Sequence, residues 1–227
     1  MEKDELFQKI RGGLIVSCQA LEDEPLHSSY IMSRMALAAL QGGAVGIRAN
    51  TVEDIAKIKN TVDLPVIGII KQVYNDSDVY ITPTIAEVDA LMAVAPNIIA
   101  MDATARMRTG NRSLTEVYRQ VRQKYPNVVL MADCSTVEEG VEAEKLGFDC
   151  VGTTMAGYTP YTAGRAIPDF EMIRTLSQKL SIPAIAEGGI HTPVQLRQVI
   201  DSGAWCAVIG GAITRPQEVT KRFTDVL

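Results

Sequence analysis

Short apolar runs rich in valine and isoleucine alternate with longer segments in which apolar residues recur every three or four positions, and this rhythm holds from Gly12 to the C-terminus. The short runs predict β-strands over 13–18, 44–48, 66–70, 98–101, 128–132, 150–153, 184–186 and 204–209. The longer ones predict helices over 28–40, 52–60, 85–95, 114–125, 137–146, 169–180, 193–201 and 217–226, with a short further helix at about 2–11. Several helices start at a recognisable cap. Thr51 before Val-Glu-Asp54, Thr84 before Ile-Ala-Glu87 and Ser113 before Leu-Thr-Glu116 all predict capping boxes, and Thr192 precedes Pro193 at a first helical turn.

The strands are almost continuously apolar, as in a parallel sheet covered by helices on both faces. Eight of them, each followed by a helix, predict an α/β fold in which residues 1–227 form a single (β/α)8 TIM barrel, ahead of an open doubly wound sheet. No linker, low-complexity tract or internal repeat divides the chain. The longest stretches without pattern are 19–27, 72–83 and 158–168, and loops of that length in a compact domain are usually functional.

Composition narrows the partners. A net charge of −5 argues against nucleic acid or anionic membrane, both of which demand a surplus of Lys and Arg. It leaves a phosphorylated small molecule open, because one phosphate needs only a local group of backbone amides and one basic side chain. No apolar run approaches the ~20 residues of a membrane span, and the charged start reads as no secretion signal. Cys18, Cys134, Cys150 and Cys206 stand far apart in apolar surroundings and read as reduced thiols of a cytoplasmic protein.

In a barrel of this kind chemistry sits at the C-terminal ends of the strands. The residues closing the apolar runs are Gln19, Arg48, Lys71, Asp102, Asp133, Thr153 with Thr154, Glu187, and Gly210-Gly211. Lys71 follows six apolar or small residues, so its amine is either a lysine snorkelling from the rim or a partly desolvated base. Glu187 leads into Gly188-Gly189; it is either a structural ion-pair partner of Arg48, Lys71 or Arg215, or one half of an acid/base couple with Lys71 across the barrel. The glycine pairs after the seventh and eighth strands, Gly188-Gly189 and Gly210-Gly211, fall where barrels build phosphate sites from backbone N–H groups, with Arg215 close behind. His27 and His191 lie in different loops with no metal-ligand spacing, so no metal is expected; hydrogen bonding explains Asp102 and Asp133 better than Mg²⁺.

Taken together, the segments Gly12-Gly-Leu-Ile-Val-Ser-Cys-Gln19, Gly43-Ala-Val-Gly-Ile-Arg48, Gly68-Ile-Ile-Lys71, Asp102-Ala-Thr104 with Arg106 and Arg108, Ala132-Asp-Cys-Ser-Thr136, Gly152-Thr-Thr154 with Gly157-Tyr-Thr159, Ala186-Glu-Gly188 and Gly210-Gly-Ala-Ile-Thr-Arg215 carry a resemblance. Over nearly its whole length the chain resembles the N-acetylmannosamine-6-phosphate 2-epimerases of bacterial sialic acid catabolism. The resemblance implies inversion of carbon 2 of N-acetylmannosamine 6-phosphate to give N-acetylglucosamine 6-phosphate, without an added cofactor. It implies Lys71 and Glu187 as catalytic residues, and Gln19, Arg48, Asp133 and Arg215 as contacts to the sugar or its phosphate. Thr153, Thr154 and Tyr158 complete the expected substrate set, Gly188, Gly189, Gly210 and Gly211 the phosphate set, and a homodimer is the assembly to test.

Two rival enzymes remain at this stage. An imine-forming Lys71 would make the chain an aldolase or synthase on another phosphorylated sugar. A pentulose-phosphate epimerase would want metal-binding histidines at strand ends. A sugar-phosphate-binding regulator on the same fold is the non-enzymatic alternative.

Overall fold

The computed structural model describes residues 2–227. Its strands are β1 (Leu14–Cys18), β2 (Gly46–Asn50), β3 (Val66–Ile69), β4 (Ile98–Asp102), β5 (Leu130–Asp133), β6 (Cys150–Gly152), β7 (Ala184–Glu187) and β8 (Cys206–Ile209). All pair in parallel in chain order, and β8 closes back onto β1 through Leu14 opposite Ala207 and Val16 opposite Ile209. This is a TIM barrel. Around it run α1 (Lys3–Ile10), α2 (Ser29–Gln41), α3 (Val52–Lys59), α4 (Ile85–Val94), α5 (Leu114–Lys124), α6 (Val137–Leu146), α7 (Phe170–Lys179), α8 (Pro193–Asp201) and α9 (Pro216–Thr224).

Alternate residues of a strand face alternate sides, and the inward set fills the barrel. Ile15, Ile67, Ile69, Ile98, Ala100, Met131, Cys150, Ile185, Cys206 and Val208 form one buried cluster with Leu6, Phe7 and Ile10 of α1. Helix α1 therefore plugs the N-terminal end, and Trp205 Nε1 pins it by donating to Phe7 O at 2.8 Å. Outward residues such as Ile47, Ala49, Val66, Ile99 and Met101 pack against Ile55, Val88, Leu91 and Val117 of the helices. Gly68 faces that layer, where a Cβ would come within 2.8 Å of the Pro96 ring, so the absence of a side chain lets β3 and the segment after α4 close up.

Following the inward parity to the C-terminal end explains where polar groups emerge. Ser17 and Gln19 extend β1, Arg48 extends β2, Asp133 extends β5 and Glu187 extends β7, each two residues beyond an inward apolar or small residue. Arg48 is an exception to the expected boundaries. Strand β2 runs on to Asn50, with Ala49 and Asn50 opposite Gly68 and Ile69, so Arg48 lies inside the strand and its guanidinium lies within the barrel.

Caps hold the helix starts that flank the site. Full capping boxes form at Thr84/Glu87 and Ser113/Glu116, and also at Thr136/Glu139 and Thr192/Gln195. The box expected at Thr51 is only half made: Thr51 Oγ1 accepts from Asp54 N, but the Asp54 carboxylate instead accepts from Ser29 Oγ at 2.6 Å and ties α3 to α2. No helix among the described residues is long and apolar enough to cross a membrane.

Candidate active site

The C-terminal mouth of the barrel opens into a pocket of about 260 Å³. Gln19, Arg48, Lys71, Thr154, Tyr158 and Glu187 line it together with the two glycine pairs and Arg215. Residues from six different strand ends thus converge on one volume.

Its floor is an ion-paired network. Arg48 presents a forked guanidinium to Asp133, NH1 to Oδ1 at 3.1 Å and NH2 to Oδ2 at 2.6 Å, and NH1 also donates to Glu187 Oε2 at 2.8 Å. Arg48 is 1% and Asp133 0% exposed, so this bidentate pair is held away from water and raises the already high basicity of the guanidinium, against the opposing effect of burial. Thr154 Oγ1 completes the network, 2.5 Å from Asp133 Oδ1 and 3.1 Å from Glu187 Oε2. Thr153 makes the strand geometry below it. Its hydroxyl donates to Glu187 O at 2.9 Å and accepts from Glu187 N at 3.0 Å, riveting β6 to β7.

Lys71 follows β3, and its backbone N–H donates to the buried Asn50 side chain at 2.9 Å. Burial, with Arg215 and Arg48 near by, lowers its amine to about 8, while Glu187 and Glu24 oppose the fall. Burial likewise lifts the Glu187 carboxyl to about 7; Arg48 pulls against that rise and Asp133 reinforces it. An amine and a carboxyl that both titrate near neutrality thus border one pocket, an arrangement that is chemically able to exchange protons with a bound molecule. They make no ion pair with each other within 4.0 Å: the cation on Glu187 is Arg48.

The two glycine pairs lie beyond β7 and β8 at one end of the pocket. Gly188 and Gly189 both take positive φ, 109° and 69°, and a Cβ on Gly189 would strike the Ile167 backbone at 2.6 Å. After β8, Ile213 and Thr214 N–H donate back to Gly210 O at 2.8 and 3.0 Å, which places the N–H groups of Gly211 and Ala212 at the open start of a turn. Arg215 stands at this end, with Glu24 as its carboxylate partner (Nε to Oε1, 2.8 Å) and Glu218 farther off at 3.4 Å.

Two of the expected substrate contacts fall elsewhere. Thr153 and Asp133 do not line the pocket: the Thr153 hydroxyl is spent on the β7 backbone, and both Asp133 oxygens are taken by Arg48 and Thr154 one layer down. Asp102 is also drawn away, paired with Arg106 at 2.6 Å and accepting from Thr104. Gln19 does reach the site. Its Nε2 donates to Ser17 Oγ at 2.8 Å, while the buried Oε1 has no hydrogen-bond partner among the described residues.

Sequence reasoning missed Tyr80, Glu24 and Glu218. Tyr80 lines the pocket from the patternless stretch after β3, and burial raises its phenol above the ordinary range. Glu24 and Glu218 belong to a loop and to α9, where no periodicity singles out one carboxylate among several.

Comparison with known proteins agrees with this geometry. Residues 32–227 match the family described as "Putative N-acetylmannosamine-6-phosphate epimerase". A relative from Clostridium perfringens (strain SM101), named "Putative N-acetylmannosamine-6-phosphate 2-epimerase", is 55% identical over 222 residues, 98% of this chain and 100% of its own. One of the same name from Shouchella clausii is 55% identical over 224 residues, 98% of each chain. The solved structure of the N-acetylmannosamine-6-phosphate 2-epimerase from Clostridium perfringens superposes with a TM-score of 0.93 at 54% identity, covering 97% of this chain and 96% of that one. A thiamine phosphate pyrophosphorylase from Pyrococcus furiosus, at 21% identity and a TM-score of 0.63, shares the fold alone.

Proposed function

The chain belongs to the N-acetylmannosamine-6-phosphate epimerase family, and from that premise we propose that it inverts carbon 2 of N-acetylmannosamine 6-phosphate to give N-acetylglucosamine 6-phosphate. The observation that carries the reading is the presence of Lys71, lowered to about 8, and Glu187, raised to about 7, in one pocket that also holds two glycine turns and Arg215.

The chemistry follows from those groups. In the open-chain sugar the hydrogen on carbon 2 is next to an aldehyde, so an amine base can remove it if the enolate oxygen is stabilised. Neutral Lys71 takes that proton. The guanidinium of Arg48, the ammonium just formed on Lys71 and the donors around them then face the developing negative charge at the bottom of the pocket. Glu187, ionised and held by Arg48, accepts and returns protons at the sugar hydroxyls and balances the Lys71 ammonium. Inversion is completed when carbon 2 takes up a proton on its opposite face and the Lys71 ammonium gives its own proton up, to solvent or to the enolate, so that the amine is neutral again. Gln19 Oε1 supplies an acceptor for a sugar hydroxyl or the acetamido N–H. Arg215 and the N–H groups around Gly189, Gly211 and Ala212 hold the phosphate. Tyr158, half exposed at the rim, borders the entrance.

The pH dependence has a definite sign. The productive form carries a neutral Lys71, whose fraction grows as pH rises toward about 8, and an ionised Glu187, whose fraction grows toward about 7. Log kcat/KM should therefore climb with pH, with slope near two below about 7, near one between about 7 and 8, and a plateau above. The profile is read above about pH 6.5, clear of the substrate phosphate, which titrates near ~6. In Glu187→Gln the lower break disappears; a profile that falls with pH across this range contradicts the assignment. Turnover itself is tested by following formation of N-acetylglucosamine 6-phosphate. Borohydride added with substrate separates this reading from an imine-forming one, since a proton-transfer lysine survives that treatment and an imine is trapped irreversibly.

A further inference from the structure

Strand β6 is the shortest in the barrel, ending at Gly152, and two threonines follow it. Thr153 is consumed by the β7 backbone. Thr154 turns the other way, and its hydroxyl stands within hydrogen-bond distance of two carboxylates, Asp133 Oδ1 at 2.5 Å and Glu187 Oε2 at 3.1 Å, so that its one proton serves both as a bifurcated bond. The space for this is made by Gly152: a Cβ there would lie 3.0 Å from Thr154 Oγ1, 3.2 Å from Asp133 Oδ1 and 2.3 Å from the Met131 methyl.

The hydrogen bonds to Glu187 show what that proton does. Arg48 NH1 and Thr154 Oγ1 both bond to the same carboxylate oxygen, Oε2. Among the described residues Oε1 carries no hydrogen bond, and Glu187 itself borders the pocket. One bond from Arg48 would leave the carboxyl group free to swing about the NH1–Oε2 axis. A second donor on Oε2, from a different strand end, removes that freedom and keeps Oε1 turned to the sugar. The same hydroxyl also separates Asp133 Oδ1 from Glu187 Oε2, two acceptors that would otherwise share only NH1 of Arg48.

We infer that Thr154 is a positioning residue of the epimerisation, its hydroxyl clamping Glu187 Oε2 against Asp133 so that Oε1 is the oxygen that exchanges protons with substrate. This rests on the function proposed above. The charged and titratable groups facing Glu187 are Arg48 on β2, Lys71 after β3, Asp133 on β5 and Cys206 on β8. Thr154 is the neutral donor among them, and its hydrogen bond favours the ionised carboxyl.

Thr154→Val keeps the shape and deletes the clamp. It should lower kcat about 10- to 100-fold, the effect of one hydrogen bond to a charged group, leave KM within about twofold of the parent, and move the Glu187 break in kcat/KM to higher pH. Thr154→Ser should restore kcat and the break. The ionisation of Glu187, followed by ¹³C NMR of carboxyl-labelled glutamate and assigned by loss of the signal in Glu187→Gln, should move the same way in the absence of any turnover. If the valine variant does not fold, Thr154→Ala carries the same readouts. A raised KM with kcat and the Glu187 titration unmoved would make Thr154 a sugar contact and overturn the inference. A native enzyme without turnover but with a Thr154-dependent Glu187 titration would remove the proposed reaction while leaving the clamp in place.

Discussion

Lys71→Ala is expected to lower kcat by about 10³-fold or more, the scale of losing a general base together with the cation it becomes. The fold should survive. The Lys71 side chain is half-buried and forms no ion pair within 4.0 Å among the described residues, so its loss breaks no buried salt bridge. Lys71→Arg sharpens the result. Arginine keeps a positive charge at this position but stays protonated at every accessible pH, so it should be as inactive as alanine if the neutral amine is what works. Recovery of activity in the arginine variant would instead assign Lys71 a purely electrostatic role. The assay is formation of N-acetylglucosamine 6-phosphate under saturating substrate, with thermal melts of both variants as the control for folding.

The second large effect falls on stability. Arg48→Met should cost about 3–5 kcal/mol of unfolding free energy, because it removes one partner of a buried pair and leaves the other charge uncompensated. For a chain of this length that is a fall in Tm of roughly 10 °C. Asp133 is fully buried and Arg48 is its only ion-pair partner among the described residues, so no neighbouring cation can take over. The loss should be largest above neutral pH and smaller in acid, because Glu187 also loses the guanidinium that favours its ionised form, and its carboxyl, raised to about 7, is already protonated well below that value. Activity should fall as well, since Glu187 loses the bond at 2.8 Å that orients it. Denaturant titrations at pH 5.5 and pH 8 of both proteins measure the stability difference directly; equal losses at the two values would place the cost in packing rather than charge.

Much of this architecture was legible in the sequence because it depends on periodicity. Eight apolar runs separated by helical segments specify a parallel barrel, and the polar residue closing each run marks the mouth. Lys71 and Glu187 stood out for that reason. The identity of their neighbours did not. The second apolar run reads as closing at Arg48, yet β2 runs two residues further, to Asn50, whose buried side chain accepts from the Lys71 backbone N–H. Thr153 and Thr154 are adjacent and chemically identical, and only the pleat decides that the first rivets β7 while the second meets two carboxylates. The resemblance implies Asp133 as a contact to the sugar or its phosphate, and no local pattern shows that both its oxygens accept from a forked guanidinium 85 positions away. Long-range pairings such as Arg215 with Glu24, 191 positions apart, leave no mark in local pattern. Thr51 shows the same limit for caps: its box spacing is right, but Asp54 finds a better partner on another helix.

The most direct measurement follows the carbon 2 proton of N-acetylmannosamine 6-phosphate by ¹H NMR in D₂O, with the native protein and the Lys71→Ala variant side by side. Removal of that proton by Lys71 predicts that the native protein makes N-acetylglucosamine 6-phosphate carrying deuterium at carbon 2, and that the variant gives neither product nor exchange. Loss of the carbon 2 proton at an undiminished rate in the variant would contradict it and move the base to another side chain.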